Sequence, residues 1–324
     1  MEDTSLILLK PAPVELLTAW LKELYGRPVQ IGARQLLRHR DLSKVERLFI
    51  PDSLPETLIY KQVIPPWDIE QDLLERVLIP SISSSPQLYM VGHYQEVTAL
   101  FMEDLGEVHI TNALSSGLVS RLGKELARMH RSYGYRTDEL LQAQVLHTLF
   151  PLDYGQLATD LAERLTSWGL LSQSQADGLI NVSTQAASRL AGEPISLVHG
   201  DLFAENLLVK NNRVCLVDWS WFTHLGVPLL DIATLAMDHF KNGALSRYSQ
   251  DLIESYCFES GRLPDDLLHA LPAAEAAFKL FFLRYLVDRR QRGITSTTVG
   301  HVDDFMRQVI AELLEYLAHS WQSP

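Results

Sequence analysis

The segment Ile195–Trp221, ISLVHGDLFAENLLVKNNRVCLVDWSW, sets three polar side chains, Asp201, Asn206 and Asp218, among runs of apolar residues. Two of those runs, NLLVK and RVCLVDW, flank Asn211 and Asn212. Short apolar runs around such a dipeptide read as a β-hairpin with a tight turn. A hairpin closed there brings the loop before its first strand and the end of its second strand to one edge, so the three polar groups can converge.

A carboxylate and an amide oxygen at one edge suit a hard cation such as Mg2+, which keeps several waters and recruits phosphate oxygens for the rest. A further carboxylate within reach can accept the proton of an incoming hydroxyl. Those are the parts phosphoryl transfer requires.

The 324 residues are enough for one large domain or two lobes. A hydrophobic content of 47% with 21% charged residues is that of an ordinary globular chain and excludes disorder over most of its length. The net charge of -12 argues against a nucleic-acid or anionic-membrane partner and suits a neutral or cationic one. Cys215 and Cys257 lack metal-ligand spacing, so no zinc site is expected and a reducing compartment is. The start, MEDTSLILLKPAPVELL, is acidic with only a short apolar run, unlike a signal peptide. No stretch approaches the ~20 apolar residues of a membrane span. The expectation is a cytoplasmic protein with no membrane contact.

Residues 12–25 show apolar recurrence at helical spacing, and ARQLLRHR, VERLFI and TLIYKQV read as strands of an antiparallel meander that Pro65 and Pro66 break. WDIEQDLLERVLIP then reads as one helix, with Ile69, Leu73 and Val77 on one face, Pro66 in its first turn and Pro80 at its end. QLYMVGHY and EVTALFMEDLG supply two more strands, and from Glu107 the pattern is helical apart from the polar hairpin. The predicted class is α+β: a small antiparallel β lobe with one helix over residues 1–106, a connector near MEDLG, and a larger helical lobe over 107–324.

HGDLFAEN, with Asp218 of VDW twelve residues after Asn206, resembles the catalytic and metal-binding segments of the aminoglycoside phosphotransferase and choline kinase families, which share the protein-kinase-like fold. His199, Asp201 and Asn206 match the family's His-x-Asp with Asn five residues beyond the Asp, and Asp218 matches its second metal-binding Asp. The resemblance implies that Asp201 positions an acceptor hydroxyl and takes its proton, and that Asn206 and Asp218 hold Mg2+ against the phosphates of ATP or GTP. It further implies that His199 braces the loop and that a buried Asp231 hydrogen-bonds the catalytic-loop backbone. Asp231 also reads as a helix N-cap in LLDIATL, and the two roles are compatible.

The resemblance also asks for a phosphate-facing cation on the third strand, which Lys61 of LIYKQV supplies. Its acidic partner on the next helix is expected at Glu75, with Asp72 as the alternative. LFMEDLG resembles the hinge whose backbone binds the base, at Glu103 and Leu105. His130 reads as a core or capping histidine.

Asp231 follows Asp218 by only thirteen residues, with no Ala-Pro-Glu motif, so the peptide platform of protein kinases is missing. The implied acceptor is a small hydroxylated molecule, aminoglycoside-, amino alcohol- or sugar-like. Trp219, Trp221, Tyr256 and Tyr285, with the acids Asp265, Asp266, Glu275 and Asp288, are available to hold it, a combination suited to a cation. One departure stands out: the first hairpin, RHRDLSKVER, contains no glycine to bring backbone amides onto phosphate. Side chains of Ser43, Lys44 or Arg40 are the expected substitutes. The same gap leaves a rival open, a catalytically inactive kinase-like protein that binds nucleotide or a partner.

Overall fold

A computed structural model describes residues 9, 12–40, 42–237, 245–294, 296–297 and 300–319. The reading of the chain's start, Asp41 of the first hairpin, the latter part of the helix expected over 228–243, and both ends of the last predicted helix lie outside the described residues.

The first helix, α1 (Val14–Tyr25), turns Leu17, Trp20 and Leu21 inward. It covers a sheet of β1 (Ala33–His39), β2 (Ser43–Phe49), β3 (Thr57–Val63), β4 (Leu88–Tyr94) and β5 (Val97–Glu103). All pairings are antiparallel, in the order β1-β2-β3-β5-β4. Burial follows position: six of the seven β5 residues are buried, whereas the edge strand β1 is exposed throughout except at a half-buried Arg38. The three α1 residues pack with Leu48, Leu58, Tyr60 and Phe101 into the sheet's own core. Gly92 lets β4 pass over Trp20, since a Cβ there would lie 2.5 Å from the indole.

The helix expected between β3 and β4 is not one regular helix. It is a 3-10 turn (Trp67–Ile69), α2 (Glu70–Asp72), a π turn (Leu73–Val77) and then α3 (Pro80–Ser83). The wide turn closes through Leu78 N donating to Leu73 O at 2.7 Å. Leu73, Val77 and Leu78 pack into the core of the helical part, not that of the sheet. Ile79 N also donates to the Tyr133 hydroxyl at 2.8 Å, so this segment is fastened to the larger part of the molecule.

That part contains α4 (Ser116–Gly134), α5 (Thr137–Ala143), α6 (Tyr154–Ser167), α7 (Gln173–Leu190), α8 (Leu229–Met237), α9 (Ser249–Ser260), α10 (Pro264–Gln291) and α11 (Val302–His319). Local chemistry sets the starts: the Ser115 hydroxyl accepts from Leu118 N, and Ser172 with Gln175 forms a capping box before α7. Among the described residues seven short strands interrupt the helices: β6 (His147–Leu149), β7 (Ser196–Val198), β8 (Leu207–Lys210), β9 (Arg213–Leu216), β10 (His224–Gly226), β11 (Ser296–Thr297) and β12 (Gly300–His301). β6, β10 and β7 form a three-stranded sheet in that order. Three residues per strand are too few for alternation to show in a sequence.

β8 and β9 are the polar hairpin, paired from Leu207 with Leu216 to Lys210 with Arg213. Asn211 and Asn212 take φ of 51° and 62°, the left-handed pair a type I′ turn requires. The architecture is the expected one, an antiparallel sheet with a larger helical part. No helix among the described residues is long and apolar enough to cross a membrane.

Candidate active site

The loop that carries His199 and Asp201 starts where β7 ends. His199 N and Gly200 N donate to the two carboxylate oxygens of Asp231 at 2.9 Å each. Asp231 lies in the first turn of α8 and is fully buried, so it reaches back to the loop in place of capping its own helix. His130 Nε2 lies 3.2 Å from the same carboxylate and its Nδ1 lies 3.1 Å from the Tyr256 hydroxyl. Burial alone would raise Asp231, but the bond to His130 and the surrounding donors outweigh it and hold the carboxyl below its ordinary value. Gly200 adopts φ of 75°, and a Cβ there would lie 2.2 Å from Phe222 O, so only glycine fits.

His199 joins the loop to the hairpin. Its Nδ1 accepts from Asp201 N at 3.3 Å and its Nε2 meets Val217 O at 3.1 Å, the pattern of a neutral ring protonated at Nε2. Burial lowers its pKa accordingly. Asn206 Nδ2 donates to the Asp201 carbonyl at 2.8 Å and to its carboxylate at 3.0 Å. Val217 N donates to Asn206 O at 3.0 Å, which seats Asn206 beside the residue preceding Asp218. Asp201, Asn206 and Asp218 therefore do converge at one edge of the hairpin. Asp218 itself has φ of 63°, a backbone state uncommon for a non-glycine residue.

From the sheet, buried Lys61 donates to Glu70 and to Asp218 Oδ1. Its partner is thus Glu70 and not the expected Glu75, which is exposed and accepts from Gln71 at 3.3 Å. The alternative, Asp72, pairs with Arg76 at 3.4 Å. Glu70 shares the inward face with Leu73 and Val77, while Glu75 is exposed. The sequence carried that signal, since Glu70 lies three residues before Leu73 and seven before Val77.

A second cation was not foreseen. Arg38 Nη2 donates to Asp218 Oδ2 at 2.7 Å, so both oxygens of Asp218 meet positive charge. Burial opposes ionisation across the cluster. At Glu70 it prevails and raises the carboxyl; at Asp218 Lys61 and Arg38 outweigh it and hold the carboxyl well below its ordinary value. At Lys61 burial is outweighed by Asp218 and Glu70, and the ammonium is raised.

These groups line one end of a cleft of about 500 Å³ between sheet and hairpin, within the range of small-molecule sites. Val45, Ile59 and Met102 from the sheet, and Leu208 and Val217 from the hairpin, make an apolar slot. At the hinge end, Arg47 donates through Nε and Nη2 to the two oxygens of Asp104 at 2.6 and 2.9 Å, and it also pairs with Glu107. The Glu103 carboxylate accepts from Lys210 at 2.7 Å. Glu103 and Leu105 both line the cleft, and the Leu105 backbone has no hydrogen-bond partner among the described residues. Of the expected phosphate-covering residues, Arg40 lines the cleft but Ser43 does not, because it lies at the turn where Arg40 N donates to Ser43 O at 2.9 Å. Lys44 is paired with Glu46 at 3.2 Å.

The residues proposed to hold an acceptor divide. Trp219 is fully buried with its indole donating to Leu216 O at 3.1 Å, and Tyr256 is the core partner of His130. Trp221 stacks on Phe281 at 5.1 Å, and Tyr285 packs on Phe222 at 4.6 Å. Burial raises the Tyr285 hydroxyl, and Arg289 opposes this from 3.0 Å. The acids give the cationic-acceptor expectation no support: Asp265 and Asp266 are exposed, Glu275 pairs with Lys279 at 3.0 Å, and Asp288 faces Arg284, Arg292 and Arg164.

The fold defines the class, that of the protein-kinase-like proteins. The model of the phosphotransferase enzyme family that includes the aminoglycoside phosphotransferases matches residues 70–268, more than half of the chain, and the protein belongs to that family. Among curated proteins, LicA of Haemophilus influenzae is 35% identical over 65 residues, 20% of this chain; the match spans about a fifth of LicA, 22%. Among solved structures, a Plasmodium vivax ethanolamine kinase superposes with a TM-score of 0.68 at 11% identity, covering 98% of this chain and 94% of that one. A thermostable mutant of an aminoglycoside phosphotransferase, in ternary complex with ADP and hygromycin B, superposes with a TM-score of 0.59 at 12% identity, covering 95% and 99%.

Proposed function

We propose that the protein transfers the terminal phosphoryl group of a nucleoside triphosphate, ATP or GTP, to a hydroxyl of a small acceptor. The observation that carries this reading is the meeting of Lys61, Asn206 and Asp218 at one end of a nucleotide-sized cleft, with Asp201 held beside it by Asn206. In the transfer, the bond from the terminal phosphorus to its bridging oxygen breaks and a bond to the acceptor oxygen forms. The nucleoside diphosphate leaves, and the hydroxyl proton goes to Asp201.

Asp201 is oriented for this by Asn206 and by the backbone that Asp231 and His199 hold. Asn206 turns its Nδ2 toward Asp201, which leaves the amide oxygen as its metal-binding side. That oxygen and the ionised Asp218 are a hard-donor pair fitted to Mg2+, with too few protein ligands for a closed site and room for water and phosphate. When bound, Mg2+ would neutralise charge on the phosphates. Lys61, steered by Glu70, faces the same phosphates, and the hinge backbone at Glu103 and Leu105 suits a purine edge. Residues 1–106 then serve as the nucleotide-binding lobe and 107–324 bring the catalytic hairpin and the acceptor. Two free cysteines, Cys215 and Cys257, fit work in a reducing cytoplasm.

The test is nucleotide consumption against a panel of aminoglycosides, choline, ethanolamine and simple sugars. Consumption that depends on one acceptor is expected, and Asp218→Ala should weaken metal-dependent nucleotide binding. The double occupation of Asp218 by Lys61 and Arg38 favours a second reading, nucleotide binding without turnover. Bound nucleotide with no consumption across the panel would establish it.

A further inference from the structure

The glycine-free hairpin of β1 and β2 leaves open what covers the phosphates, and its geometry offers one side chain. β1 pairs regularly with β2 until the register shifts between Leu36, opposite Glu46, and Arg38, opposite Val45. A bulge of this kind re-aims the side chains beside it. Leu37 and Arg38 consequently both line the cleft, although neighbours along a strand ordinarily face opposite ways. Arg38 is the half-buried residue of a strand otherwise exposed throughout, and its guanidinium reaches the hairpin residue proposed to hold the metal.

Resting on the reading of the cleft as a nucleoside triphosphate site, we propose that Arg38 is its phosphate anchor, doing by side chain what backbone amides do in a glycine-rich loop. Without nucleotide, Arg38 neutralises the second oxygen of Asp218. With metal and nucleotide present, a divalent cation takes that oxygen and the guanidinium fork turns to the terminal phosphate, whose paired oxygens match its donors. Arg38 and the metal thus compete for one carboxylate, and the terminal phosphate gives the displaced arginine a new partner. The site should therefore prefer triphosphate over diphosphate through this residue.

The experiment measures binding of an ATP or GTP analogue with a non-hydrolysable terminal linkage, of ADP or GDP, and of Mn2+ alone, by calorimetry on the full chain. Wild type is compared with Arg38→Ala and Arg38→Lys, and melting curves verify that each is folded. In Arg38→Ala the triphosphate analogue should bind about tenfold or more weaker, the diphosphate nearly unchanged, and the tri- to diphosphate preference should collapse. Mn2+ alone should bind more tightly, because Asp218 has been released. Arg38→Lys, which keeps the charge but not the fork, should fall between. An Arg38→Ala protein with wild-type triphosphate preference and unchanged Mn2+ affinity would overturn the anchor and leave the nucleotide site standing. A wild-type protein that binds neither nucleotide would overturn both.

Discussion

At the hinge, Arg47 meets Asp104 through two parallel hydrogen bonds; at the other end of the cleft, Lys61 and Arg38 both reach the single carboxylate of Asp218. Both clusters are rooted in the same sheet, the first shielded from water and the second partly open to the cleft, with the Arg38 and Asp218 side chains 28% and 18% exposed. The hinge pair is a two-bond fork with side chains 5% and 9% exposed, joined from the surface by Glu107, whose side chain is 61% exposed, so it is a fixed fastening. Asp218 is oversubscribed, with one carboxylate between two cations, and an entering cation with a polyanion can redistribute all the partners. The contrast separates charge used for holding from charge kept available for chemistry.

The two ends should respond differently when broken. Asp201→Asn, which removes the proposed proton acceptor beside the oversubscribed cluster, should lower kcat by about 10³-fold while sparing nucleotide affinity; near-normal kcat would remove Asp201 from the mechanism. Glu70→Gln should cost roughly tenfold to a hundredfold in kcat/KM, through loss of the group that steers Lys61.

At the hinge, the loss should be in stability. Arg47→Ala leaves Asp104 buried without its fork and should destabilise the fold by about 3 kcal/mol in chemical denaturation. Arg47→Met combined with Asp104→Leu should recover much of that, since an apolar pair of similar size carries no desolvation cost. If the single change were neutral, the hinge pair would not be a fastening.

A buried group outside both clusters supplies a reference. His224 Nδ1 lies 2.7 Å from Phe222 O, and its ring packs at 4.8 Å from Phe281. Burial lowers its pKa from 6.5 to about 4. Between those values the unfolded chain takes up a proton that the folded protein refuses. Stability from this residue is therefore full above pH 6.5 and is lost as the pH falls toward the folded value, by about 3 kcal/mol in all. His224→Gln should flatten that part of the stability curve, and an unchanged slope would exclude His224 as its source. The smallest effect belongs to Glu75→Gln, which should change kcat/KM by less than about twofold, as expected of an exposed side chain away from the cleft.

The polar hairpin and the five sheet strands were legible because each depends on a local pattern: short apolar runs bounded by turn residues, two asparagines at a turn, carboxylates among apolar neighbours. Glu75 was misassigned because it was placed by the family resemblance, whereas the face marked by Leu73 and Val77 carries Glu70. Arg38 was missed because a bulge shows no mark in composition. The Arg47–Asp104 pair joins residues 57 positions apart, and no local spacing announces such a contact. β6, β7 and β10 escaped for want of length.

The segment that carries Glu70 has one more implication. Leu73, Val77 and Leu78 are bedded among the helices, and Arg76 adds a bond to Ala143 O at 3.0 Å. An enzyme is switched by swinging such a segment only if that segment can travel without tearing the body beneath it. Here the glutamate is moored to the larger mass by that packing and that bond.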